Sequence, residues 1–122
     1  MAPSRPDTGG YQVRRLKKRA EFLRVARGTR VGRSAFSLQA IRLGEGGDPG
    51  LGFTVTKQMG NSPERNRIRR RLKAAAKACE AGFEPQHDYV LVGRREALAQ
   101  PFDKLVGELA GALSKIKTRM PV

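Results

Sequence analysis

The sequence predicts an α+β sandwich, one sheet with helices packed on it, and three observations carry that expectation. Apolar residues alternate or run together over 34–43, 51–57 and 87–93, as in strands, and recur at three- and four-residue steps over 19–27, 62–82 and 101–116, as in helices. The resulting order is helix, strand, strand, helix, strand, helix, with no internal repeat. At 122 residues and 39% hydrophobic content, the chain has the material for one domain around a modest core.

Residues 1–13 hold two prolines, adjacent glycines and few large apolar groups, so a flexible tail is expected there, leaving 14–119 as the folded domain. From Arg14 to Arg33 there are nine Lys or Arg against one acid, Glu21. Inside that span Phe22, Val25 and Ala26 share a helical face and Gly28 supplies a stop, giving a short helix that depends on packing. Residues 34–43 form an imperfectly alternating strand, with Ala35, Ser37, Gln39 and Ile41 on one side and Phe36, Leu38, Ala40 and Arg42 on the other. The Gly- and Pro-rich stretch 44–50 is a connection, and the strand over 51–57 completes an antiparallel hairpin with the one before it.

The central helix begins near Asn61 or Ser62, either of which suits the N-cap. Pro63 fits the first helical position and Glu64 the positive end of the helix dipole. Ile68, Leu72, Ala75 and Cys79 make its apolar stripe, and it ends near Gly82. Opposite lie Asn66, Arg70, Lys73 and Lys77, flanked by Arg67, Arg69 and Arg71. The consecutive Tyr89, Val90, Leu91 and Val92 mark a strand away from the sheet edge. Phe102, Leu105, Leu109, Leu113 and Ile116 give the last helix one apolar face.

The net charge of +14 and a pI near 11.2 self-repel in the compact state and point to a polyanionic partner, nucleic acid before an anionic membrane surface. No apolar run is long enough to span a membrane, and the first residues lack the apolar middle of a secretory signal; the expected location is cytoplasmic. The acids are scattered, and His87, the single histidine, opens a strand beside Asp88 without a catalytic partner. Cys79 reads as a small apolar residue, with no disulfide or metal pattern. Neither protein catalytic residues nor a protein metal site is expected.

Between Arg65 and Lys73, six of nine residues are Lys or Arg, and Glu64 is the only acid from Leu51 to Cys79. An ordinary solvated helix face mixes signs; this one suits phosphates. RNA is preferred to duplex DNA because Phe36 and Phe53 on a sheet beside basic residues suit unpaired bases, although composition alone favours core filling for both.

The run Leu51-Gly-Phe-Thr-Val-Thr-Lys57, then Gly60-Asn61, then Arg65-Asn66-Arg67-Ile68-Arg69-Arg70 resembles the signature of the bacterial ribonuclease P protein subunit. Arg15 to Phe22 is similar to that family's opening helix and Asp88 to Arg94 to its strand after the basic helix, so the resemblance spans about residues 14–117. It implies a mixed sheet whose parallel central strands are joined through the Arg-Asn-Arg helix by a left-handed crossover. It also implies a catalytic, magnesium-dependent RNA subunit that cuts the 5′ leader from precursor tRNA, with Mg2+ held mainly by the RNA. The protein would be a monomer within that particle, without a small-molecule substrate. Carried over, Arg65, Asn66 and Arg67, extended by Arg69, Arg70 and Lys73, would contact the RNA subunit. Phe22, Phe36, Lys57 and Arg19 would line the cleft for the single-stranded leader. Ala26, Gln39 and Gln58 depart from the family's aromatic and lysine pattern, which implies less base stacking and more charge and backbone contact. A stand-alone RNA-binding or ribosome-associated protein is the alternative; a self-sufficient metal nuclease lacks its carboxylates.

Overall fold

A computed structural model describes residues 13–43 and 47–120. The expected tail over 1–13 lies, apart from Val13, outside the described residues, as does the 44–46 part of the 44–50 connection. The elements are β1 (Arg14–Arg15), α1 (Arg19–Ala26), β2 (Thr29–Gly32), β3 (Phe36–Arg42), β4 (Gly50–Thr54), α2 (Ser62–Ala78), β5 (His87–Gly93) and α3 (Phe102–Arg119), with single 3-10 turns at Lys57–Met59, Glu80–Gly82 and Arg95–Leu98.

The sheet is mixed, in the order β1-β4-β5-β3-β2, and it is built around β5. Tyr89, Val90 and Leu91 are buried in succession, so both faces of this strand are covered and it takes a partner on each side. β3 pairs with it antiparallel from Phe36↔Gly93 to Arg42↔His87, and β4 pairs parallel from Gly50↔Asp88 to Thr54↔Val92. The hairpin expected between β3 and β4 is therefore wrong. The two strands do run in opposite directions, but β5 lies between them. Local sequence favoured the nearer partner, whereas two-sided burial of β5 decides the order. β4 and β5 are joined instead through α2.

β1 and β2 were not expected as strands. β1 has two residues, pairing Arg14↔Gly50 and Arg15↔Leu51, and β2 carries a single buried side chain, Val31. Short, charged edge strands look like a basic linker because their hydrogen bonds, not their side chains, define them.

Side chains alternate cleanly between two layers. Phe36, Leu38, Ala40, Leu51, Tyr89 and Leu91 face α2 and α3, where Ile68, Leu72, Leu105, Leu109 and Ile116 complete the main core. On the opposite face Val90 packs with Leu16 and Val25, and with the half-buried Phe22, Ile41 and Val92. Asp88 is also wholly buried on this side. Its Oδ1 accepts a hydrogen bond from Arg14 Nη2 at 2.6 Å and its Oδ2 one from Arg24 Nη2 at 3.1 Å. A buried carboxylate needs such partners, and these two tie β1 and α1 to the central strand.

The α2 stripe is buried at Ile68, Leu72 and Ala75, while Cys79 is half-buried at the C-cap and its thiol lies 3.6 Å from the Val106 carbonyl. Burial pushes that thiol's pKa up, consistent with an inert packing residue. α2 stops at Ala78 and a separate 3-10 turn carries the chain to Gly82, earlier than expected. Phe102, expected on the apolar face of α3, is 41% exposed. His87 Nδ1 lies 2.8 Å from the Pro85 carbonyl and its ring stacks on Tyr89, a structural position.

Leu72→Ala should lower folding stability by about 2–5 kcal/mol in denaturant unfolding, because it empties a fully buried site. Asp88→Asn should cost less, about 1–3 kcal/mol, since both freed arginines are already about half in water.

Candidate nucleic-acid interface

The N-terminal turn of α2 is set by three neighbours. Gly60 has φ +143°, a conformation that L side chains rarely adopt, and a Cβ there would run into the Glu64 carboxylate. Asn61 is the N-cap: its Oδ1 accepts from the Glu64 N–H at 2.9 Å, and Glu64 Oε1 accepts from the Asn61 N–H at 3.0 Å. Ser62 thus takes the first helical position and Pro63 the second. Arg95, from the turn after β5, grips the same carboxylate with both guanidinium nitrogens, at 2.8 Å and 3.2 Å, and donates to the Met59 carbonyl at 3.0 Å. The Arg95 side chain, then the Asn61 amide, hold Glu64 down to a pKa of about 2.

Cations then spread over the crest and two flanks of α2. Asn66 and Arg70 are exposed on the crest opposite the apolar stripe; Arg67 is exposed on one flank, where Arg71 donates to the Gln100 carbonyl beside α3. On the other flank, Arg69 and Lys73 are half-buried toward β4 and β1. Arg69 Nη1 donates to Asn66 Oδ1 at 2.9 Å, and Lys73 Nζ sits 6.0 Å from the centre of the Phe53 ring. Desolvation, then the positive charges of Arg15 and Arg69, lower the Lys73 pKa. Arg65 is half-buried and donates to Ser62 Oγ at 3.0 Å.

Across the sheet, α1 and the β-strands enclose an open cleft of about 460 Å³. Its walls include Lys17, Arg19, Phe22 and Ala26 from the α1 segment, Gln39 from β3, and Thr54 and Val92 from β4 and β5. Phe22 reaches down from α1 onto β4 because Gly52 has no side chain; a Cβ there would lie 2.6 Å from the ring.

A ribonuclease P family model matches residues 12–117. The chain belongs to the ribonuclease P protein family. The ribonuclease P protein component of Brucella melitensis biotype 1 is 46% identical over 110 residues, covering 81% of this chain and 77% of the relative. That of Gluconacetobacter diazotrophicus is 44% identical over 111 residues, covering 88% and 95%. Among solved structures, the Staphylococcus aureus RNase P protein superposes with a TM-score of 0.70 at 25% identity, covering 83% of this chain and 93% of that one. The Thermotoga maritima RNase P protein gives 0.72 at 21% identity, with 84% and 96% covered, a likeness of fold.

Within this ribonuclease P protein, the residues expected at the leader cleft divide. Arg19 and Phe22 line the cleft. Phe36 does not: it is fully buried on the α2/α3 face, among the main-core residues, and this expectation is corrected. The alternation of β3 already separates it from Gln39, and the motif-based transfer overrode that parity. Lys57 is exposed in the 3-10 turn beyond β4 and is absent from the cleft walls. Gln39, only 7% exposed, is the β3 residue in the cleft wall, at the position where the family pattern has an aromatic. Arg14, Gly52 and Arg95 went unnoticed as positioning residues; only Gly52, inside a strand pattern, carried a signal of close approach.

Because the folded-state pKa of Glu64 lies below the ordinary 4.5, its contribution to stability is fully present above that value and disappears as pH falls toward about 2. Glu64→Gln should therefore flatten the acid limb of the stability–pH profile between those limits, measured by denaturant unfolding. An unchanged slope would remove the Arg95–Glu64 pair from the account of how α2 is held.

Proposed function

We propose that the chain works as the protein subunit of a ribonuclease P ribonucleoprotein, with the exposed cationic face of α2 docking on the catalytic RNA and the α1–sheet cleft taking the single-stranded 5′ leader of precursor tRNA. The observation that carries this reading is the separation of two surfaces on one small domain: a rigidly capped helix presenting Asn66, Arg67 and Arg70, and, on the other sheet face, a cleft with Phe22 and Arg19. The first suits the closely spaced phosphates of a folded RNA, the second an extended strand whose bases stack on aromatics.

The reaction belongs, on this reading, to the RNA. Four of the described carboxylates are committed to cations: Asp88 to Arg14 and Arg24, Glu64 to Arg95, Glu84 to Lys117 and Glu108 to Arg33. No three metal-ligating side chains meet among the described residues, so this donor set does not fit a protein-held magnesium. What the protein supplies is screening of phosphate repulsion between two RNAs and a fixed path for the leader, which raises substrate affinity without a protein acid or base.

Reconstitution tests this. The purified chain, added to a ribonuclease P RNA at low magnesium, should stimulate release of the leader from precursor tRNA; no stimulation with the cognate RNA would exclude the subunit role, and cleavage by the chain alone would indicate a nuclease. Arg67→Ala and Arg70→Ala should each weaken binding of the RNA subunit and reduce the slope of log affinity against log salt by roughly one unit per lost phosphate contact.

A further inference from the structure

The cleft does not end at the sheet edge. β1 covers β4 only at Gly50 and Leu51, so Gly52, Phe53 and Thr54 have β5 on one side and no strand on the other. The alternation that turns the Pro49 and Leu51 carbonyls toward β1, where they accept from Arg14 and Leu16, turns the Phe53 amide and carbonyl to that same uncovered side. Phe53 itself lines the α1–sheet cleft and two further hollows, of about 200 and 330 Å³, on the α2 side of the edge. Arg15 and Lys73 line both of those hollows, and Arg69 lines the one that Phe22 also reaches. None of the three cations has a carboxylate partner among the described residues, and their mutual repulsion is part of what lowers the Lys73 pKa. Three unpaired cations around a half-exposed aromatic, beside a bare strand edge, form a trough complementary to a single-stranded nucleic acid backbone with one base on the ring.

Building on the subunit reading above, we infer that the leader continues out of the α1–sheet cleft, crosses the uncovered edge of β4 and lies in the Phe53 trough, its phosphates held by Arg15, Arg69 and Lys73. Arg69 and Lys73, which line the trough, are then leader residues, while Arg67, on the opposite flank of the same helix, and Arg70, exposed on its crest, are the RNA-subunit residues. A base stacked on Phe53 replaces the Lys73 ammonium there and releases it to a phosphate.

The test compares precursor tRNAs with leaders of about two and about ten nucleotides, the longer one reaching past the cleft. Their affinities are measured on holoenzyme reconstituted from the full chain and ribonuclease P RNA, and RNA-subunit affinity is measured separately without substrate. Lys73→Gln, Arg15→Gln and Phe53→Leu should each weaken the long-leader substrate about three- to tenfold while leaving the short-leader substrate and RNA-subunit affinity unchanged. Equal losses for both leaders, or a loss of RNA-subunit affinity, would overturn the assignment. Phe53→Leu keeps an apolar group against the core, and the other two act at the surface, so a folding defect shared by all three is not expected. If wild-type protein gives no leader-dependent gain, it is the subunit reading that fails. Titrating the chain alone with a single-stranded RNA of about ten nucleotides then still decides the trough: weaker binding by Arg15→Gln supports it and unchanged binding overturns it.

Discussion

Asp88 sits at 0% exposure on the central strand, and two guanidinium groups reach it to offset the cost of burying a carboxylate there. One comes from β1 and the other from α1, segments with little apolar surface of their own. α1 buries only Val25 fully, and β1 is two residues long. The ion pairs therefore fix the N-terminal segment against the sheet where hydrophobic packing is thin. They also set the site: α1 is one wall of the cleft, and the end of β1 decides how much of β4 remains uncovered. Two of the basic residues in the 14–33 cluster are thus structural, although charge counting places all nine with the anionic partner.

α2 has the opposite problem. Arg65 and Arg67 stand in the first two turns, where the helix dipole is positive and cations are disfavoured. Glu64 and the Asn61 cap offset part of that cost, and Arg95 holds the carboxylate in place while adding another positive charge. The result is a folded but electrostatically unrelieved surface. An anion at this end meets both the side chains and the dipole, so a phosphate-bearing partner gains from charge that the free protein carries at a loss.

Much of this was legible in the sequence, and the failures have physical causes. The three helices, the central position of β5 and the stripe Ile68, Leu72 and Ala75 follow from apolar period alone, because burial on one face or both leaves a mark at each position. The order of strands left none. That β5 separates β3 from β4 depends on α2 carrying the chain over the sheet, a non-local arrangement that no window of residues contains. β1 and β2 are defined by backbone pairing under exposed, charged side chains. At the site, the cationic character of α2 was clear, but not its division into flanks, because a helical wheel shows angles and not what stands beside each one. Phe36 shows the converse: strand parity puts it on the core face, away from Gln39, while the motif correspondence points to the cleft.

The run from Gly60 to Lys73 accordingly mixes two kinds of residue that mutate alike. Gly60, Asn61 and Glu64 set the angle at which the helix leaves the β4 turn, and Arg71 latches it to the segment before α3. The Arg67 and Arg70 side chains take no part in these hydrogen bonds and ion pairs. A change in the first group tilts or frays the platform and removes RNA binding without any lost contact; a change in the second removes a contact from an intact platform. The two differ in their signatures. A platform defect lowers stability and weakens RNA-subunit and leader binding together, whereas a lost phosphate contact leaves stability alone and changes the salt slope of one partner. Activity alone therefore cannot map this interface, since the helix is both the scaffold of the site and the surface that binds.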